Sequence, residues 1–374
     1  MKKLPTLLAP ALSSVLLVLT MSPAARAQDP AAVSSAAPPP APAPSTTPAP
    51  PSDDRMLKGH RVLFPVLQEQ IPFATTHFGI RQGLALANVP KLPLGPLGPT
   101  DLTLSGLAQN FDLGVRITDW LAIQGSGAGQ VITGVNIASI VLSGATFTAS
   151  GEAGPLVRLV RSEKSGTQVA LGLTGGAGFG RQLTVLPLVN ALLSNPGQSL
   201  GTVLNGNIGK QVLVPTSKST FAGTVSAAQT LTPNFGLLAS VQGRYTSETQ
   251  SPFDSTKAAS VDVSSSNVEV KGALGVTADG SPSGIPVGVM AEYLANLSNA
   301  TTGSTSGPSQ SSSELSHFVS AGVYYTGRAN LQVGVAGAAQ LALRPVDGVD
   351  TNGATAKSDA PSVLFGQFIL RYVW

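Results

Sequence analysis

The 374-residue chain has no cysteine, so it forms no disulfide and carries no lipid anchor built on a cysteine sulfur. Charge is scarce. Asp, Glu, Lys and Arg together make up 11%, against ~25% in an ordinary soluble domain. Histidine occurs three times, as His60, His77 and His317, with no H-E-x-x-H run and no spaced Cys/His set. A zinc centre is therefore not expected, and nothing implies a cofactor. Long apolar runs are missing as well. Beyond the first 27 residues, no stretch approaches the ~18–20 apolar residues that a spanning helix needs.

The N-terminus supplies a different signal. Lys2 and Lys3 precede an apolar stretch over residues 7–21 and then Ala25-Arg26-Ala27. Positive start, apolar middle and A-x-A site predict a signal peptide over residues 1–27. Its removal takes away Lys2, Lys3 and Arg26, leaving 19 basic residues against 19 acidic ones. The formal charge of +3 is then no argument for a nucleic-acid partner. Residues 28–52 are nearly all Pro, Ala, Ser and Thr. Such a stretch cannot bury a core and reads as a disordered periplasmic linker, or else as a docking segment for a partner or the cell wall. Residues 53–74 form an unassigned lead-in.

From residue 75 to 374 the pattern has period two. Leu331, Val333, Val335, Gly337, Ala339, Leu341 and Leu343 share one face, and Gln332, Gly334, Ala336, Ala338, Gln340 and Arg344 the other. Phe235, Leu237, Ala239, Val241 and Tyr245 oppose Ser240, Gln242, Arg244 and Glu248. Twelve strands are predicted, over 75–88, 102–118, 120–132, 145–160, 167–181, 218–231, 235–249, 265–277, 285–299, 315–326, 331–344 and 360–374. The connections alternate short (118–119, 162–166, 232–234, 278–284, 327–330) and long (88–101, 132–144, 182–217, 250–264, 300–314, 345–359). Low charge, an even strand count and alternating turn length predict an all-β fold: a transmembrane antiparallel β-barrel of about twelve strands. Trp120, Phe235, Tyr325, Tyr372 and Trp374 are expected at one membrane rim, where aromatic rings sit at the interface.

The last strand, LFGQFILRYVW, ends on an aromatic residue. Leu364, Gly366, Phe368, Leu370, Tyr372 and Trp374 fall on one face, with Gln367 and Arg371 on the other. It resembles the C-terminal assembly signal of bacterial outer-membrane barrels, matching at Gln367, Tyr372 and Trp374, although Ile369 stands where glycine is usual. The resemblance implies that Tyr372 and Trp374 engage the barrel-assembly machinery. Over about 300 residues the chain resembles the twelve-stranded, transporter-like outer-membrane barrels of Gram-negative bacteria, including the MetA-type phenol-degradation family. That implies an outer-membrane location with the linker in the periplasm, outer-membrane lipids as neighbours, and passage of small, often hydrophobic molecules.

Alternation places His77, Arg81, Asp112, Arg116, Glu152, Arg158, Arg244, Glu248, Glu269, Lys271, Glu292, Arg344 and Arg371 toward the lumen. Acids and bases are roughly balanced, which argues against strong ion selectivity. These side chains either contact solute or brace the wall by pairing. The connection 182–217 carries Leu183, Val185, Leu188 and Leu192. An apolar loop in water is costly, so it is expected either to close over the mouth as a lid or to pack on the rim. Gly175-Gly176-Ala177-Gly178-Phe179-Gly180 mimics a phosphate loop, but no P-loop Lys-Ser/Thr follows, so close packing on a strand is the better reading. The acidic run 347–353 lacks the closing Glu of a calcium loop and reads as a turn. No enzyme is expected. A Ser-His-acid site, whose members meet only in space, is the enzymatic alternative. The expected job is passage of a small solute, hydrophobic solutes included. The alternatives are a non-transporting structural or surface-interaction barrel with a plugged lumen, and a soluble all-β protein.

Overall fold

The computed structural model describes residues 55–95, 98–184, 213–254, 259–304 and 307–374. Twelve antiparallel strands close into one barrel. They are β1 (His77–Pro93), β2 (Pro99–Arg116), β3 (Leu121–Gly134), β4 (Ala145–Ser162), β5 (Thr167–Leu183), β6 (Leu213–Thr232), β7 (Phe235–Gln250), β8 (Val263–Asp279), β9 (Val287–Ser304), β10 (Gly307–Tyr325), β11 (Leu331–Leu341) and β12 (Ser362–Val373). Each pairs with its neighbours in sequence, and β12 closes on β1 from Val373 opposite His77 to Ser362 opposite Asn88. The strand number and order match the period-two reading. Residues 1–27 and 28–52, expected as signal peptide and linker, lie outside the described residues.

The alternation is physical. On β7, Phe235, Leu237, Val241 and Tyr245 are exposed, while Gly236, Leu238 and Gln242 are buried. On β12, Leu364, Phe368, Leu370, Tyr372 and Trp374 are exposed, while Ile369, Arg371 and Val373 are buried. In water such an outer face would be a very large apolar patch; in lipid it costs nothing. Trp120, Phe235, Tyr325, Tyr372 and Trp374 are all exposed and gather at one rim, the end with the short turns and the C-terminus. Tyr372 and Trp374 meet edge to face at 5.2 Å, and Asn330 Nδ2 donates to the Tyr372 hydroxyl (2.7 Å).

The opposite, long-loop end departs from expectation at two connections. The expected long loops 88–101 and 300–314 are largely strand: β1 and β2 run on to Pro93 and Pro99, and β9 and β10 to Ser304 and Gly307. The latter stretch is rich in Ser and Thr, which satisfy a water-exposed ladder beyond the apolar band. Within the connection after β3 sits a short helix, α1 (Ile137–Ser143), whose first turn is capped by Asn136 Oδ1 accepting from Ser139 N (2.7 Å). The connection between β11 and β12 folds back on the tips of β1 and β2. There Leu92, Leu102, Leu104, Ile132 and Val346 form an apolar cluster at the mouth.

Val241 lies near the middle of the outward apolar row from Phe235 to Tyr245 and is 60% exposed. Val241→Arg is expected to lower stability by about 2–4 kcal/mol, the depth-dependent cost of a cation at the bilayer midplane. Urea titration of vesicle-reconstituted protein reads this directly; an unchanged midpoint contradicts a lipid-facing wall.

Candidate functional site

The lumen is not an empty pore. Residues 55–76, just ahead of β1, lie inside the barrel at the short-turn end. Leu57, Val62, Leu63, Phe64, Val66, Ile71 and Phe73 are buried there against inward side chains of the wall: Leu238 on β7, Met290 on β9, Tyr324 on β10, and Ile369 and Val373 on β12. Burying each such side chain is worth roughly 1.5–3 kcal/mol. Ile369, which stands where the assembly signal usually has glycine, is 1% exposed and belongs to this core.

An interior segment faces a specific difficulty. A closed wall has no free strand edge, so the segment's backbone cannot join the sheet, yet buried N–H and C=O groups need partners. Inward side chains supply them. Glu292 Oε2 accepts from Val66 N (2.6 Å) and Leu67 N (3.2 Å). Gln332 accepts from Phe64 N (3.1 Å) and donates to the Phe64 carbonyl (3.4 Å). Gln168 donates to the Pro72 carbonyl, and Arg81 Nη1 to the Val66 carbonyl (3.3 Å). The segment in turn caps wall turns: Arg55 donates to the Ala329 carbonyl (2.6 Å) and Arg61 to the Thr326 carbonyl (2.7 Å). Gly172 on β5 makes room for it. A Cβ there would fall 1.9 Å from Gln70 Oε1.

Above this core two ionic clusters cross the lumen. In the first, Arg371 holds Asp112 through two hydrogen bonds (2.6 and 2.7 Å), with Arg81 and His77 at 3.7 and 3.5 Å. The Arg371 guanidinium also lies over the Phe64 ring, 4.1 Å from its centroid. In the second, Arg244 binds Glu152 (2.5 and 3.1 Å) and Glu69 of the interior segment. Lys271 reaches Glu69 (2.9 Å) and Glu269 (3.3 Å). Glu69 is about two-fifths exposed, to lumen water rather than bulk. Burial within the barrel opposes its ionisation, but Lys271 and Arg244 outweigh that and hold its carboxyl well below the usual carboxylate range. His60, in a small hairpin (Met56–Leu57 with His60–Arg61), is held below its ordinary value by burial. Its ring nitrogens meet the Pro233 carbonyl (3.2 Å) and the Thr277 hydroxyl (2.7 Å).

Arg81, Asp112, Glu152, Arg244, Lys271, Glu292 and Arg371 thus converge on the lumen through contacts with the interior segment or with one another. Glu248 faces inward nearer the long-loop end, and Arg158 precedes a register shift on β4. Arg116 sits at the short-turn rim and pairs with Asp119. Arg344 lies past the end of β11 and is exposed, because the backbone leaves the sheet at Ala342 (φ 52°). Leu183 is the last residue of β5, paired with Ala145 and Leu213 and exposed, so it is part of the wall rather than a lid. Val185, Leu188 and Leu192 lie outside the described residues. Sequence reasoning missed Gln168, Gln332 and Lys218. Glutamines on inward faces of buried strands are the signal that marks the first two, since a buried amide needs a partner.

A cavity of about 310 Å³ remains between the interior segment and the wall of β1–β7. Phe64, Pro65, Glu69 and Ile71 line it from the segment, and Asn110, Gln124, Ser126, Ser150, Lys218 and the charged groups of Asp112, Glu152, Arg244 and Arg371 from the wall. Among the described residues, no group of three or more His, Cys, Asp or Glu is placed to hold a metal. Thr75, His77 and Asp112 do form a hydroxyl–imidazole–carboxylate chain (3.0 and 3.5 Å). Thr75 is 1% exposed, however, and Asp112 is neutralised by Arg371, so this hydroxyl meets no substrate.

Glu292→Leu removes the acceptor for Val66 N and Leu67 N, and the segment should loosen by about 1–3 kcal/mol per orphaned group. Because the chain has no cysteine, a spin label on Lys58→Cys reports this as increased mobility. Acid acts in the same direction. Both His60 and Glu69 have lowered folded values, so their contribution to docking is complete at neutral pH. The His60 part is lost as pH falls below about 6.5, and the Glu69 part below about 4.3. The same label should mobilise in those two windows; immobility down to pH 3 contradicts the assignment.

No family model matches the chain, and no curated protein matches it. Among solved structures, it is similar to the transport unit of the autotransporter AIDA-I from Escherichia coli, with 10% identity and a TM-score of 0.45 over 83% of this chain and 93% of that one. It is similar to an outer membrane channel from Pseudomonas putida F1, with 12% identity and a TM-score of 0.44 over 84% of this chain and all of that one. It is also similar to the toluene transporter TodX of Pseudomonas putida, with 10% identity and a TM-score of 0.38 over 80% and 89%.

Proposed function

We propose that this protein is an outer-membrane channel for a small solute, with its short-turn end in the periplasm and a passage that runs beside the interior segment. The observation that carries this reading is the cavity of about 310 Å³ at the barrel waist. It lies at the lower end of the volumes that hold small molecules. Its walls combine apolar surface from Phe64, Pro65 and Ile71 with polar groups from β2, β3 and β4. The polar, charged waist favours a solute with both polar and apolar character. No reaction is part of this reading.

A second reading has its own support. Seven buried apolar side chains of the interior segment pack on the wall, as a permanent plug would. In that case the barrel serves structure or surface contact. Liposome swelling in arabinose separates the two. The channel reading predicts swelling with the wild-type protein and a severalfold faster rate when residues 56–75 are deleted. Swelling only after deletion favours the plug; no swelling from either defeats the channel reading.

A further inference from the structure

The cavity at the waist is unbalanced in what it leaves unused. Its carboxylates are all engaged: Asp112 by Arg371, Glu152 by Arg244 and the Thr220 hydroxyl (3.3 Å), and Glu69 by Arg244 and Lys271. One cation on the same wall is not. Lys218, inward on β6 and half-buried, has no hydrogen bond or ion pair among the described residues. Its chain lies over Gly178 on β5, where a Cβ would come within 2.9 Å of Lys218 Cε, so glycine at that position leaves the aminoalkyl stem its place. Glu248 stands directly opposite on β7, but it makes no ion pair with Lys218 and accepts instead from Gln250 Nε2 (2.8 Å).

An ammonium at the cavity wall that is committed to no ion pair keeps its donors for an incoming acceptor. An entering anion pairs with it; a neutral or cationic solute does not gain that contact. The interior segment contributes apolar surface to the same cavity through Phe64, Pro65 and Ile71, beside Gln68, Glu69 and Gln70. We infer that the cavity binds a small monocarboxylate with an apolar body, the carboxylate on Lys218 Nζ and the body against the interior segment. Inorganic anions lack the apolar body, and neutral apolar molecules lack the charge, so both bind worse. The solute's route rests on the channel reading above; its binding does not.

Benzoate is a suitable probe, with benzyl alcohol as its neutral counterpart and chloride as the bare anion. Calorimetric titration of the detergent-solubilised full chain should show benzoate binding, with benzyl alcohol and chloride each about tenfold weaker or less. Lys218→Gln should weaken benzoate about tenfold, and Lys218→Arg should restore most of the loss. Absence of benzoate binding to the wild type overturns the inference. So does equal binding of benzyl alcohol, or of benzoate to the Lys218→Gln variant. Arabinose swelling by the wild type without benzoate binding removes this inference alone. Benzoate binding without swelling removes the channel reading alone.

Discussion

Closure of the wall is the constraint from which the rest follows. Once β12 pairs with β1, every backbone ladder is complete and no edge remains. The outside must then suit lipid, and anything inside must be held by side chains alone. Residues 55–76 meet that condition in an unusual way: Glu292, Gln332 and Gln168 substitute for a neighbouring strand. The inward face is therefore polar not because it touches bulk water, but because it must satisfy a polypeptide backbone.

The same constraint sets the electrostatics. Charges in the lumen cannot all be hydrated, so they pair across it, and pairing ties the interior segment to the wall through Glu69. Of bracing and solute contact, posed by the sequence as alternatives, bracing accounts for the paired charges. Arg371 and Asp112 brace, and so do Arg244 and Glu152. Lys218 is set apart by having no partner among the described residues. A lumen built this way is neither an open pore nor a packed core, but a partly filled tube that keeps a small, asymmetric space among the described residues.

Much of the wall was legible because a half-buried strand writes its geometry into every second residue. The twelve strands, the aromatic rim and the inward rows from Arg81 to Arg371 all follow from that periodicity. Two connections were misplaced because Ser and Thr between residues 301 and 313 read as loop, yet extend a ladder into water. Arg344 was misplaced because periodicity continues past Leu341 after the backbone has left the sheet. The interior segment was not legible at all. It has no period, since its side chains pack on all sides, and its glutamine partners Gln168 and Gln332 are 96 and 268 residues away in sequence. Ile369 was visible as an exception to the assembly signal; its burial beside that segment supplies the reason.

The central claim is that this segment is docked inside the barrel through wall side chains. Amide hydrogen exchange of the intact protein in micelles, read at Val66 and Leu67, tests it most directly. Protection approaching that of wall amides such as Val241 is predicted. Exchange at the rate of an unstructured peptide would contradict the account.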